Sequence, residues 1–171
     1  MSRTLSVVLR LPAEWRRIEA VREAIGRCLE AVFADEELAG ALAMVTAELL
    51  ENAVKYGKLD PGGVVLSVEE DGGGVTVGVT NAVEAASRHV EALRDRVAWI
   101  ARFADPADAF VAAMAEVFAR GDPDADSGLG LARIAHEGGC TLACDESVPG
   151  RVTVRASRAH AEPGAAAPAP S

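Results

Sequence analysis

Thr46-Ala-Glu-Leu-Leu-Glu-Asn-Ala-Val-Lys-Tyr-Gly57 is the stretch on which the reading of this chain turns. On a helix turning about 100° per residue, Leu38, Leu42, Val45, Leu49, Ala53 and Tyr56 share one stripe. Glu48, Asn52 and Lys55 line up along its flank, so a carboxylate, an amide and an ammonium point the same way beside the buried face. A merely solvated flank would use several charges and has little reason to hold Asn, a poor helix former, in the helix interior. Asn52 is therefore the residue to explain. The same residues also suit a plain core-facing helix with a Glu51–Lys55 surface pair at i,i+4 spacing.

Before this helix, Thr4 to Leu11 is rich in Val and Leu and reads as a strand closed by Pro12. From Ala13 to Phe33, apolar Trp15, Ile18, Val21, Ile25, Leu29 and Val32 recur at three- and four-residue steps, the pattern of a helix lying on a sheet. Asp35 caps the next helix, Glu36 and Glu37 suit its positive end, and Gly57 stops it. The period then changes. Val64–Val68 and Val75–Thr80 are β-branched runs, and Glu69-Glu-Asp-Gly-Gly-Gly74 between them makes a hairpin turn rather than a phosphate loop.

After Asn81 come two helical stretches, residues 85–103 and 106–120, separated by Asp105-Pro106. Gly128-Leu-Gly-Leu-Ala-Arg-Ile-Ala-His-Glu-Gly-Gly139 reads as a glycine-opened helix, and Cys140–Asp145 and Arg151–Ser157 as a last hairpin. Residues 161–171, Ala/Pro/Gly-rich, carry no apolar period and are expected to be disordered. The expected organisation is one domain, residues 1–160, with a helical insertion at 85–120 and the tail beyond it.

The chain has 171 residues and a net charge of −9 without a Lys/Arg run, which argues against nucleic acid as a partner. Arg10 and Glu14 interrupt the apolar start too early for a signal peptide, and no segment reaches membrane-spanning length. No membrane association and a cytoplasmic location are the expectation. Cys28, Cys140 and Cys144 lack paired metal-ligand spacing and read as reduced thiols. His89, His136 and His160 have no metal-spaced partner and receive no role.

The pattern Glu48-x-x-x-Asn52-x-x-Lys55-Tyr56-Gly57 resembles the N-box of the GHKL (histidine kinase-like) ATPase superfamily, and its wording is most similar to the histidine-kinase and anti-sigma-factor kinase branches. Ser127-Gly-Leu-Gly-Leu-Ala-Arg133 resembles the superfamily's second glycine box, where backbone amides at a helix N-terminus approach phosphate oxygens. A lone GxG opening a helix is weak, but the two boxes in this order, separated by a hairpin and a lid-length insertion, are the family's arrangement.

The resemblance implies a two-layer α/β (α+β) sandwich with helices on one face of a mixed, mainly antiparallel sheet, the Bergerat fold. It implies ATP and Mg²⁺ as cofactors, with Asn52 as the metal ligand, Glu48 as the catalytic base and Lys55 as a phosphate neighbour. Gly128, Leu129, Gly130 and Leu131 would cradle phosphates. Where the family carries Asp-x-Gly-x-Gly for adenine, this chain reads Asn81-Ala-Val-Glu-Ala85, so Asn81 would present an amide oxygen in place of a carboxylate, and Ala82 to Glu84 crowd the path. Asp122, Asp124 and Asp126 add negative charge before the second box.

Residues 1–47 hold no histidine that could serve as a phospho-acceptor, so a complete sensor histidine kinase is not the expectation. Two functions follow. The chain resembles an anti-sigma-factor serine/threonine kinase that binds Mg-ATP and a regulatory protein, a sigma factor or an anti-anti-sigma-type domain. Alternatively it is a degenerate member that binds its partner as a scaffold. Trp99, Phe103, Phe110 and Phe118 make the insertion either a partner surface or an addition to the domain's own core, and a homodimer is compatible with both.

Overall fold

The structure, a computed structural model, describes residues 5–58, 60–84, 88–121 and 128–160. The elements run in the order β1 (Ser6–Leu11), α1 (Trp15–Phe33), α2 (Glu36–Tyr56), β2 (Val64–Glu70), β3 (Gly74–Ala82), α3 (Arg88–Ile100), α4 (Pro106–Arg120), α5 (Leu129–His136), β4 (Thr141–Val148) and β5 (Arg151–Ala159). The strands form one sheet in the order β1-β2-β3-β5-β4, and every pairing among them is antiparallel. This is the two-layer α+β arrangement expected of the GHKL fold. The mixed character anticipated for the sheet is absent because β4, reached through three helices, lands at the edge and β5 turns back between it and β3.

Strand periodicity of two decides which residues face the helices. Val64, Leu66 and Val68 of β2, Val75, Val77 and Val79 of β3, and Val154 and Ala156 of β5 are buried in one core with Ile25, Leu29, Leu42, Val45, Leu49 and Ile134. The alternate residues form the opposite face, where Thr76 and Ser157 lie 2.9 Å apart and Thr80 and Thr153 2.8 Å apart across β3 and β5. Asn81 continues the Val77–Val79 alternation and so falls on the helix-facing side.

α2 is positioned at both ends. The Asp35 carboxylate accepts a 2.9 Å hydrogen bond from the Leu38 N–H, the expected cap. At the other end Gly57 donates its N–H to the Ala53 carbonyl at 2.9 Å. Of the expected stripe, Leu42, Val45, Leu49 and Ala53 are buried, and Leu38 and Tyr56 are half-buried. Trp15, counted on the apolar stripe of α1, is the first residue of that helix and is 55% exposed.

The insertion folds as the two helices α3 and α4. Asp105 caps α4 by accepting the Ala107 N–H at 2.9 Å, with Pro106 in the first turn. Trp99, Phe103 and Phe110 pack on the core, whereas Phe118 is 81% exposed. No helix among the described residues is long and apolar enough to cross a membrane. The acidic residues 122–126 and the tail 161–171 lie outside the described residues.

Candidate functional site

The last two turns of α2, the end of β3 and α3 enclose a cavity of about 170 Å³. α2 contributes Leu49, Asn52, Ala53 and Tyr56, and β3 contributes Val79 and Asn81. α3 covers them with His89, Val90, Leu93 and Arg96, and the far end is closed by Arg120, Gly128 and Leu131. The walls are mostly apolar. The polar residues among them are Asn52, Asn81, Arg96, Arg120, Tyr56 and His89, the last two with ring centroids 5.5 Å apart.

The Asn52 side-chain nitrogen is buried without a hydrogen-bond partner among the described residues. Leaving such a group unsatisfied costs about 1–3 kcal/mol, so the position suits a polar ligand group brought in from outside. A half-turn about the last side-chain bond exchanges its nitrogen and oxygen, and the oxygen is a ligand of the kind Mg²⁺ prefers. The residues present thus fit a magnesium-bound anion at this end of α2.

Asn81 is 6% exposed and donates from Nδ2 to the Ala82 carbonyl at 3.1 Å, which leaves its oxygen as the group's acceptor. Gly57 packs against it, since a Cβ there would stand 2.9 Å from Asn81 Nδ2. The glycine is set by space, because its φ of −73° suits any residue. Its closeness ties the end of α2 to the end of β3.

Glu48 lies one turn before Asn52 but is not among the residues lining the cavity. Its Oε1 accepts from Arg133 Nη1 at 3.0 Å, and Arg133 Nε also donates to Glu137 at 2.9 Å. A Cβ on Gly130 would run into Glu48 Oε2, so the carboxylate rests directly against the second box. Gly128 has φ of 58°, a left-handed conformation that disfavours a side chain.

Of the second box, Gly128 and Leu131 line the cavity, while Leu129 and Gly130 open α5 outside the lining set. Lys55 is exposed, with Nζ 5.2 Å from the Tyr56 ring centroid, and the structure does not bring it into the lining set. Burial, and then the neighbouring Glu48, raise the Glu51 carboxyl above its ordinary range.

Sequence reasoning missed Arg96. A Cβ on Gly128 would lie 2.5 Å from Arg96 Nε and 2.8 Å from its Cγ, so this side chain crosses directly over the glycine box. Nothing in the local pattern of α3 signals it, because the contact spans elements far apart in the chain. Among the cysteines, Cys140 is buried and Cys28 exposed, and all three are free thiols.

The antiparallel sheet, the Asn52 helix and the glycine-opened α5 around one cavity are the plan of a histidine kinase-like ATPase. The histidine kinase-like ATPase domain model matches residues 11–137, and the chain belongs to that family. Eleven chains of solved structures match. One is a chain of the SiaB–SiaC complex from Pseudomonas aeruginosa, with 26% identity and a TM-score of 0.69 over 91% of this chain and 90% of that one. A comparison with curated proteins finds no match.

Proposed function

We propose that this chain is a soluble, cytoplasmic signalling domain of the anti-sigma-factor kinase kind, taking Mg-ATP in the cavity and a regulatory protein as its partner. The observation that carries the reading is the buried, unpartnered amide of Asn52 in a cavity shared with Asn81 and Gly128. Asn52 would hold the metal, the Gly128–Leu131 amides the phosphates, and the Asn81 oxygen the exocyclic amino group of the base. The bound nucleotide supplies the transferable phosphoryl group. Glu48 serves as the base that takes the proton from a Ser or Thr hydroxyl of the partner, and Arg133 fixes the carboxylate in place. Residues 1–160 form the binding domain, and removing residues 161–171 should leave nucleotide affinity unchanged.

The partner is inferred from likeness. The matching solved chain was crystallised in a two-protein complex, and its alignment covers nearly all of this chain. The same likeness supports a regulatory protein partner, with a sigma factor or an anti-anti-sigma-type domain as the proposed class.

A second reading is favoured by specific residues. Asn81 stands where the family carries a carboxylate, and Glu48 is engaged by Arg133 outside the cavity lining. Both suit a scaffold that keeps the fold and binds the partner without nucleotide. Calorimetric titration with ATP and ADP, with and without Mg²⁺, decides between them. Micromolar, metal-dependent binding that disappears in Asn52→Ala supports the kinase reading. Absence of binding at millimolar nucleotide leaves the scaffold.

A further inference from the structure

Arg96 and Arg120 are the guanidiniums lining the cavity, and both converge on one carboxylate. Arg96 Nη1 lies 2.8 Å from Glu116 Oε2, and Arg120 Nη2 lies 3.9 Å from the same oxygen. The Arg96 side chain is only 16% exposed, its guanidinium carbon sits 4.1 Å from the centre of the Trp99 ring, and its stem covers Gly128. Two guanidiniums thus meet one carboxylate where the cavity reaches the glycine box. A planar guanidinium binds carboxylate and phosphate in the same forked geometry.

We propose, building on the nucleotide reading of the cavity, that Glu116 is an internal stand-in for ligand phosphate. In the free protein its carboxylate occupies Arg96. The β- or γ-phosphate of a bound nucleotide takes its place and releases α4 from α3 at that point. A phosphate group carries more charge and more acceptor oxygens than the carboxylate it displaces, so the exchange favours di- and triphosphates over a monophosphate. Because Glu116 belongs to α4 and Arg96 to α3, occupancy of the site changes how the two insertion helices are joined. Arg96 thereby becomes a phosphate-reading residue, and Glu116 an autoinhibitory one.

The experiment is titration of the full chain with ATP, ADP and AMP in the presence of Mg²⁺. Trp99 emission is followed in a Trp15→Phe background, which removes the only other tryptophan. Glu116→Gln should tighten ATP by about two- to fivefold, the worth of a partly exposed ion pair, and leave AMP unchanged. Arg96→Ala should weaken ATP by about tenfold or more and AMP by less than about twofold. Arg96→Lys, which keeps the charge but loses the fork, should fall between wild type and Arg96→Ala and serves if Arg96→Ala does not fold. ATP, and not AMP, should change Trp99 emission.

ATP binding in wild type with no tightening in Glu116→Gln would overturn the exchange while sparing the nucleotide reading. So would identical Trp99 responses to ATP and AMP. Absence of ATP binding in both wild type and Glu116→Gln overturns the two together.

Discussion

Glu48 on α2 and Arg133 on α5 are joined by a 3.0 Å ion pair, so the residue proposed as base is held by the same short helix that begins at the glycine box. Part of the Arg133 side chain is in water, which limits what the pair adds to stability to about 1 kcal/mol or less. Arg133→Ala should therefore shift the urea midpoint only slightly. Glu48→Gln should lower phosphoryl transfer to a partner by about a hundredfold while changing ATP affinity by less than about twofold. A variant that binds ATP and transfers at the wild-type rate would remove Glu48 from the mechanism.

Asn52 carries an unsatisfied buried nitrogen, and its removal should not harm the empty protein. Asn52→Leu is expected to leave stability unchanged or raise it by up to about 1 kcal/mol, because the buried donor's penalty disappears. The same substitution should abolish metal-dependent nucleotide binding. Denaturant unfolding with and without Mg-ATP measures both effects. A loss of several kcal/mol without ligand would mean that the amide is a structural group.

Asn81→Asp tests the departure from the family pattern. The amide donates to the Ala82 carbonyl, and a carboxylate there can neither donate nor remain hydrated. Without ligand the variant should be less stable by about 1–3 kcal/mol. ATP should recover part of that loss, since the charged oxygen is the better acceptor for an exocyclic amino group. Thermal melts across an ATP series would show a larger ligand-induced shift for Asn81→Asp than for wild type, and equal shifts would remove Asn81 from base recognition.

Cys140 gives a prediction independent of nucleotide. Burial raises its thiol from the ordinary 9.0 to about 11, with Arg158 acting weakly in the other direction. A raised acid favours the folded state while it remains protonated. The contribution is thus complete below pH 9.0 and lost as pH climbs towards about 11. Cys140→Ala should flatten the alkaline decline of stability in that window. In native protein at pH 8, exposed Cys28 should react with a thiol reagent well before Cys140.

Much of the architecture was legible because it rests on local chemistry. Asp35 and Asp105 both cap the helices they were expected to start or sit before, and the β-branched runs at Val64 and Val75 pair as a hairpin. The site was only partly legible. Helical spacing placed Glu48, Asn52 and Lys55 on one flank, but the cavity takes up Asn52 and the half-buried Tyr56, leaving Lys55 in solvent at the helix end. The rest depends on meetings between distant elements. Arg96 over Gly128, Glu48 against Gly130 and Gly57 against Asn81 are contacts that no periodicity encodes. The insertion's aromatic residues suit either a partner surface or the domain's own core, and tertiary packing divides them, with Trp99, Phe103 and Phe110 turned inward and Phe118 left out.

The two walls of the cavity differ in what holds them. α2 buries eight residues and β3 is the middle strand of the sheet, whereas α3 buries only Val90 and Ile100. One jaw is therefore anchored and the other is hung on few contacts. A change in what the cavity holds would be felt first in the lightly packed jaw, which reaches the surface at α3 and at α4 beside it.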